Sequence, residues 1–461
     1  MVSLALGIAT TIGVAILARL CKTPDQPWLL LVPVGAAMGI ALTSVTMLLW
    51  LVLPEGLDYV KIEMGLAIVI VATLWRGSRE PTAGTDEPAV LRRLGLISLA
   101  VMIIAGGWAA ASMVQHFSAN PYGQWDAWSM WNLKAKLLHA GGDSWAIRLR
   151  DGSPHPDYPL LQPASIARLW KYAGTDSHHG PQAFAMACLL LTVSVTVGGV
   201  WHLRGMLLGA AAGLATCASS MVLREASSQY ADMALAMFST AACASLAVAM
   251  HNAAPRGCLF IVAGFMAGAA CWTKNEGLAF AAALGMAIGL GTLIAFGWRR
   301  GAMCLVYYLL GLVPLVVVTL MFKATVAGHS DLWPGRAWSD VVALLTDPQR
   351  HARIARMASF VWRHGPNFPV TCAMLSLPIL IGPALDRRAL ATTAMIGTTL
   401  GIQLVLIYGV YLMTPHDLGW HLVASADRLF VHLWPTTVLL LFVLLRPPKQ
   451  WWCHRFQQAE P

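Results

Sequence analysis

The sequence predicts an all-α, polytopic integral membrane protein with about thirteen transmembrane helices. Of the 461 residues, 57% are apolar and only 11% are charged, whereas a soluble domain carries about 25% charged residues. The mean hydropathy is +0.63. Apolar runs that approach the thickness of a bilayer recur along the chain. These runs are 3–20, 28–53, 62–76, 94–114, 181–201, 205–222, 230–250, 257–272, 277–297, 303–322, 369–384, 389–413 and 430–447.

The basic residues predict the orientation of these runs. They account for the net charge of +9, and they lie in short loops rather than on a face suited to nucleic acid, so no nucleic-acid partner is expected. Short basic loops face the cytoplasm by the positive-inside rule. The basic positions are Arg19, Lys22, Arg76, Arg79, Arg92, Arg93, Arg204, Arg256, Arg299, Arg300, Arg387, Arg388, Arg446 and Lys449.

The alternate loops then lie outside the cytoplasm. They are 54–61, 115–180, 223–229, 273–276, 323–368 and 414–429. The sequence therefore predicts a multi-pass protein of the inner membrane, with a cytoplasmic tail at 448–461 and its polar site facing the periplasm.

Two of the outer loops, 115–180 and 323–368, are too long to be simple connectors, and loops of such length are usually functional. Segment 127–140 has helical spacing and aromatic residues suited to the membrane interface. Segment 350–362 has the same character, because Ile354, Met357, Phe360 and Val361 are expected to face away from its arginines.

Asp126 opens the first long loop between Trp125 and Trp128. An acid placed at the membrane surface beside apolar walls is suited to act as a general base, since partial desolvation favours its protonated form. The alternative is an ordinary N-cap, because Asp126 precedes a helical run.

Asp157 and Tyr158 lie further along the same loop, in a stretch with four prolines in ten residues, 154–163. Prolines fix an extended and rigid path. The pair is a candidate lining for a sugar site, and the alternative is a rigid loop with surface polar groups.

Asp232 stands where an apolar run enters the membrane, and a carboxylate in that position is usually paired or functional. Its expected partners are Arg224 and Lys274; the alternative is a snorkelling or capping acid. Lys274 shares a short outer turn with Glu276, where it is placed to meet a lipid phosphate. The alternative for Lys274 is a cationic interfacial anchor.

Arg428 precedes the last apolar run and follows His421 by seven residues. Two helical turns would let both side chains face one cavity, where a guanidinium suits an anionic phosphate. The alternative is a surface ion pair of Arg428 with Asp427. His155, His416 and His421 leave a divalent metal open, although no spacing among them is typical of a ligand set. The nine cysteines form no CxxC motif.

The order of these segments resembles the GT-C membrane glycosyltransferases, in particular the bacterial branch of aminoarabinose transferases and protein O-mannosyltransferases. The matching landmarks are Trp125-Asp126-Ala127-Trp128, Asp157-Tyr158-Pro159-Leu160, Gln229-Tyr230-Ala231-Asp232, Trp272-Thr273-Lys274-Asn275-Glu276-Gly277 and Asp427-Arg428-Leu429. The resemblance covers roughly 94–447, which would be the catalytic module, and leaves 1–93 as extra N-terminal transmembrane helices.

The resemblance implies inverting transfer of a sugar from a polyprenyl-phosphate donor to a glycan, lipid or protein acceptor outside the cytoplasm. Asp126 would be the base and Asp232 a second acid that orients the acceptor or the sugar. Lys274 and Arg428, with Arg224, would hold the donor phosphate. The residues expected to bind substrate are Trp125, Trp128, Asp157, Tyr158, Gln229, Tyr230, Glu276 and His421.

Three other functions stay open on the sequence. A transporter or flippase of a lipid-linked or small anionic substrate would use the same charges as pathway residues, though the chain has no internal repeat of the kind common in transporters. A glycan ligase would use the same face, and a non-catalytic assembly subunit would need none of these residues. No glycine-rich phosphate loop for a soluble nucleotide is present.

Overall fold

The computed structural model describes residues 1–21, 27–53, 56–74, 88–251, 256–328, 338–364 and 368–450. Several sequence predictions lie outside the described residues. They are the basic positions Lys22, Arg76 and Arg79, parts of the outer loops at 54–55, 329–337 and 365–367, and the tail from 451 to 461.

Helices make up the described chain, and they are joined by short turns. The helices are α1 (Val2–Leu20), α2 (Trp28–Leu51), α3 (Tyr59–Leu74), α4 (Ala89–Ala119), a π-helical turn (Ala127–Trp131), α5 (Asn132–Ala140), α6 (Trp145–Gly152), α7 (Leu161–Ala173), α8 (His179–Arg204), α9 (Met206–Cys217), α10 (Ser220–Ser227), α11 (Ala231–His251), α12 (Gly257–Thr273), α13 (Asn275–Phe296), α14 (Trp298–Thr325), α15 (Trp338–Thr346), α16 (Pro348–His364), α17 (Phe368–Ile381), α18 (Arg387–Met413) and α19 (Leu418–Val443).

The predicted class, an all-α polytopic membrane protein, is confirmed, and each of the thirteen apolar runs is mainly helical over its described residues. Within the described ranges, nine helices are long and apolar enough to cross a membrane: α1, α2, α4, α8, α11, α13, α14, α18 and α19. The pair α9–α10, bent by 61°, makes a tenth if it is one span. The other runs form α3, α12 and α17, which have 16, 17 and 14 residues. Over the residues that the structure describes, these three have fewer than the roughly 20 residues of a full span.

The centre of the bundle is α11, which is buried from Ala231 to Met250. Small residues let its neighbour α12 and the next helix outward, α14, approach each other closely. A Cβ on Gly264 would lie 1.9 Å from the Tyr308 carbonyl oxygen, and one on Gly311 would lie 1.9 Å from that of Ile261. The glycine-rich run in α12 therefore packs backbone against backbone.

The interfacial predictions hold only in part. The segment 127–140 is helical, but Trp131 and Leu138 are fully buried, so that face packs into the protein rather than into lipid. In α16, Ile354 is buried as expected, whereas Phe360 is 59% exposed. At 3.6 residues per turn Phe360 falls beside Arg353, so it lies on the arginine-bearing face and its predicted placement is wrong.

Candidate active site

Four segments from distant parts of the chain meet at one end of the bundle. Asp126 comes just before the π-helical turn, and Asp232 is the second residue of α11. Lys274 separates α12 from α13. Arg428 lies in the third turn of α19, because that helix begins at Leu418, well before the apolar run that marks it in the sequence. The charged side chains of these four residues form one cluster.

Asp232 is the buried centre of the cluster, with a side chain only 1% exposed. Lys274 Nζ donates to its Oδ1 at 3.1 Å, and His432 Nε2 lies 2.5 Å from the same oxygen. Arg428 Nη2 donates to Oδ2 at 3.1 Å. Three donors therefore hold this carboxylate, as a buried charge requires. Its role in the cluster is that of an anchor for the two cations.

Arg224 does not pair with Asp232, so that part of the prediction is wrong. Its Nη2 instead donates to Asp427 Oδ2 at 2.7 Å, and its Nε lies 3.5 Å from Glu225 Oε1. The Arg224 side chain is 53% exposed, because it lies at the rim of the cluster. Asp427 therefore pairs with Arg224, and the alternative ion pair of Asp427 with Arg428 does not form.

Arg428 bridges the two predicted catalytic acids. Its Nη1 donates to Asp126 Oδ2 at 2.6 Å while its Nη2 holds Asp232. The Tyr230 ring lies 4.3 Å from the guanidinium carbon, and a ring in that position stabilises a cation. Arg428 Nε is buried and has no hydrogen-bond partner. The guanidinium is thus held by both acids, and its buried Nε–H is an unused donor.

Asp126 does not act as a side-chain N-cap, since it makes no side-chain hydrogen bond to the turn that follows. Its carboxylate is bound to Arg428 and is 31% exposed. The backbone N–H of Asp126 donates to the Tyr230 hydroxyl at 3.4 Å. Of the two aspartates, Asp126 is therefore the one that a ligand can reach.

Lys274 is buried, with 5% of its side chain exposed, and it contacts Glu276 Oε1 at 3.1 Å as well as Asp232. Burial works to lower the pKa of Lys274, but the negative charges of Asp232 and Glu276 outweigh it and raise that pKa above its usual value. Lys274 is therefore a charged member of the cluster. The alternative of an anchor facing the membrane surface does not fit its burial.

A second polar group borders the cluster on the side of Lys274. Asn275 Nδ2 donates to Asp157 Oδ2 at 2.8 Å, and Lys323 Nζ donates to Asn275 Oδ1 at 2.7 Å. The ring of Tyr158 lies 5.9 Å from Lys274 Nζ. The Glu276 charge and burial hold the pKa of Tyr158 well above its usual range. Asp157 thus ties the first loop to the turn that carries Lys274.

Gln229 is only 1% exposed and has a left-handed backbone, with φ of 61°. Its Nε2 donates to the Pro121 carbonyl at 3.1 Å, and its own carbonyl accepts from Gln162 Nε2 at 2.8 Å. Both ends of Gln229 are therefore engaged by the first loop. This placement argues against the predicted contact with substrate and makes Gln229 a brace for the start of α11.

Gly123 is the point where the first loop touches the segment before α11. Its φ of +79° suits glycine, and a Cβ there would lie 2.6 Å from the Ser228 carbonyl oxygen. The next residue, Gln124, donates its N–H to that same oxygen at 3.2 Å. This close approach places Asp126 over Arg428.

Two predicted substrate-binding tryptophans flank Asp126 at the surface. Trp125 is 67% and Trp128 is 48% exposed, with ring centroids 4.6 Å apart. By contrast, His421 lies apart from the cluster, where its Nδ1 is 2.8 Å from Thr414 Oγ1 and its ring packs on Tyr411. The side chains of His421 and Arg428 are therefore not in contact, and the cavity that they were expected to share is not formed between them.

His432, Asn275 and Lys323 belong to the site but were not predicted from the sequence. His432 follows Arg428 by one helical turn, and that spacing was a usable signal. For the other two, only the fold brings their partners together. Within the described residues, no group of three or more histidine, cysteine, aspartate or glutamate side chains is placed to hold a metal.

An apolar groove of about 230 Å³ lies beside the cluster, between α16, α18 and α19. Its walls include Ile354, Tyr408, Leu422, Leu429 and Leu433. Leu429 follows Arg428 directly in α19, so the groove and the charged cluster lie on adjoining faces of the same helix. A ligand with an anionic head and an apolar chain would find both in one place.

Comparison with known proteins gives one structural likeness. No family model matches the chain, and no curated protein matches it. Among solved structures, the chain is similar to the crystal structure of ArnT from Cupriavidus metallidurans bound to undecaprenyl phosphate, with a TM-score of 0.48 and 15% sequence identity. The match covers 76% of this chain and 59% of the ArnT chain, so this protein spans less than two thirds of that length.

Proposed function

We propose that this chain is a membrane glycosyltransferase that moves a sugar from a polyprenyl-phosphate donor to an acceptor outside the cytoplasm. One observation carries the proposal: Arg428 joins an exposed acid, Asp126, to a buried one, Asp232, at one end of the bundle. The order of the sequence landmarks along 94–447 supports the same reading.

The donor would lie along α19. Its phosphate would bind to Arg428 and Lys274, and Arg224 at the rim of the cluster is a further candidate contact. Its isoprenoid chain would enter the groove between α16, α18 and α19, whose walls are apolar side chains. The sugar would then sit beside Asp126, against the exposed rings of Trp125 and Trp128.

The transfer follows from this placement. Asp126 takes the proton of an acceptor hydroxyl as its oxygen attacks the anomeric carbon of the sugar. The bond from that carbon to the phosphate oxygen breaks, and its electron pair leaves with the polyprenyl phosphate. Arg428 and Lys274 stabilise the charge that develops there. Attack opposite the leaving group inverts the anomeric configuration.

Asp232 acts indirectly in this scheme, because three donors already occupy it and it is 1% exposed. It keeps Arg428 and Lys274 in place for the phosphate. His432 supports the same carboxylate. The transporter alternative is less well supported, because the charges gather at helix ends rather than at interrupted helices near the middle of the membrane.

The test is mass spectrometry of envelope glycolipids, polysaccharides and glycoproteins from host cells that carry either the wild-type chain or Asp126→Asn. We expect a species heavier by one sugar residue with the wild type, which the variant loses while its insertion and thermal unfolding are unchanged. Asp176→Asn is the matched control, because Asp176 lies in the same loop in an exposed pair with Lys136, and it should keep the product. Identical glycans in every fraction, with and without the protein, would instead favour the transporter.

A further inference from the structure

We infer that the Asp126 carboxylate occupies the position on the Arg428 guanidinium to which the donor phosphate binds. Donor binding then displaces Asp126 and thereby frees the catalytic base. The inference rests on the proposed function and concerns the regulation of the same site. It starts from the contact of Arg428 Nη1 with Asp126 Oδ2 at 2.6 Å.

Each cation of the cluster is already neutralised by two acids. Arg428 contacts Asp126 and Asp232, and Lys274 contacts Asp232 and Glu276. Among these five side chains alone, with His432 left out of the sum, three negative charges face two positive ones. A phosphate that approaches the cluster therefore has to replace a carboxylate, because like charges repel strongly in a partly buried site.

Asp126 is the carboxylate that can be replaced. Asp232 is 1% exposed and is held by three donors, so its release would leave a buried charge without partners. Asp126 is 31% exposed and can turn toward water. Glu276 is 30% exposed as well, but its partner Lys274 is only 5% exposed, whereas Arg428 is 19% exposed. A phosphate reaches Arg428 more easily than Lys274.

Two further features of Arg428 suit a phosphate in place of Asp126. Its buried Nε has no hydrogen-bond partner, and a phosphate has more acceptor oxygens than a carboxylate to offer it. The Tyr230 ring holds the guanidinium plane at 4.3 Å, so Arg428 stays in place when its partner changes.

Displacement would couple the two substrates. While Asp126 is paired with Arg428, its Oδ2 accepts from Arg428 Nη1 and is not available to the hydroxyl of an acceptor. Once a phosphate binds Arg428, Asp126 Oδ2 is released from that contact and is free to accept a proton, next to the sugar that the phosphate carries. The base is then active only when a donor is bound.

Binding of undecaprenyl phosphate to the purified full-length protein in nanodiscs, measured by native mass spectrometry, tests the inference. Asp126→Asn should bind the lipid about twofold to fivefold more tightly than the wild type, since the competing charge is gone. Asp126→Ser should behave in the same way. Glu276→Gln tests the other partly exposed carboxylate of the cluster and should strengthen binding less than the Asp126 variants do. The loop control Asp176→Asn should bind like the wild type, and thermal unfolding shows that each variant is folded.

The outcomes separate the two proposals. If the wild type binds and the Asp126 variants bind equally or more weakly, the phosphate does not replace Asp126 on Arg428. The inference is then overturned, while the proposed function stands. If only Glu276→Gln binds more tightly, the phosphate replaces Glu276 on Lys274 and the inference is again overturned. If neither the wild type nor any variant binds undecaprenyl phosphate, the proposed function fails together with the inference.

Discussion

Arg168 on α7 and Glu63 on α3 form a buried ion pair, with Arg168 Nη2 2.8 Å from Glu63 Oε2 and side chains only 3% and 2% exposed. The Tyr59 and Tyr172 hydroxyls each donate to Glu63 at 2.7 Å. Arg168 also donates to the Ala5 carbonyl at 2.9 Å. Every charged oxygen of Glu63 is therefore engaged, which is the condition under which a buried pair is tolerated.

This pair ties the N-terminal helices to the candidate site. Arg168 lies on α7, whose Gln162 holds the carbonyl of Gln229 just before α11. Residues 1–93 were predicted as extra helices beside a catalytic module, and the division into these two units stays a prediction. The contacts indicate that the extra helices brace the loop over the site.

Glu63→Gln should therefore destabilise the protein strongly. It leaves the Arg168 charge buried and uncompensated, which costs about 3–5 kcal/mol of unfolding free energy. The double replacement Glu63→Leu with Arg168→Met should cost less than the single change, since no charge is left unpaired. Unfolding in detergent micelles measures both. Asp58→Asn, in the exposed pair with Lys61, should not shift the curve, and a double variant less stable than Glu63→Gln would contradict the account.

Replacement of the two aspartates of the site should have different effects, mainly on stability for Asp232 and mainly on activity for Asp126. Asp232→Asn removes the buried counter-charge of Arg428, Lys274 and His432, and it should lower the unfolding free energy by about 3–5 kcal/mol. Asp126→Asn breaks a partly exposed pair and should cost under about 1 kcal/mol, although we expect it to abolish transfer. Thermal unfolding of the two variants side by side, with transfer measured in the same membranes, makes the comparison. Equal destabilisation by both would mean that Asp126 also has a structural role.

The fold was largely predictable because hydropathy is a local property. Each apolar run became a helix, and the alternation of charged loops placed Asp126, Asp232, Lys274 and Arg428 at the same end. The number of full spans was harder to predict, because α3, α12 and α17 are apolar but short over their described residues.

The pairing of side chains within the site was less predictable. Arg224 was expected beside Asp232 but binds Asp427, and Gln229 was expected to contact substrate but is buried. The first outcome depends on the rotation of α10 and α19 about their axes. The second depends on the contacts of Gln229 with Pro121 and Gln162, which lie far away in sequence. Likewise, the partner of Glu63 lies 105 residues away, and no local pattern points to it.

Tyr230 should contribute to phosphate binding through its ring rather than its hydroxyl. Burial and the Asp126 charge raise the pKa of Tyr230 to about 12, so the hydroxyl stays protonated from pH 6 to 10 and adds no pH dependence there. Tyr230→Phe keeps the ring over Arg428 and should bind undecaprenyl phosphate like the wild type. Tyr230→Leu loses a cation–π contact of about 0.5–1 kcal/mol and should bind about twofold to fivefold more weakly. A loss of the same size in both variants would assign the effect to the hydroxyl.

Gly123 offers a test of how the first loop places Asp126. Gly123→Ala puts a methyl group within 2.6 Å of the Ser228 carbonyl oxygen at a φ of +79°, so the loop has to move away and take Asp126 from Arg428. Gly142→Ala is the matched control, since Gly142 has a φ of +77° but nothing within 4 Å of the added group. The backbone strain costs about 1–2 kcal/mol at either position. We therefore expect strain to lower the stability of both variants by a similar small amount. Gly123→Ala should lose further stability through the steric clash, and it alone should show a fall in sugar transfer. Full transfer by Gly123→Ala would mean that contact between the loop and Ser228 does not position the base.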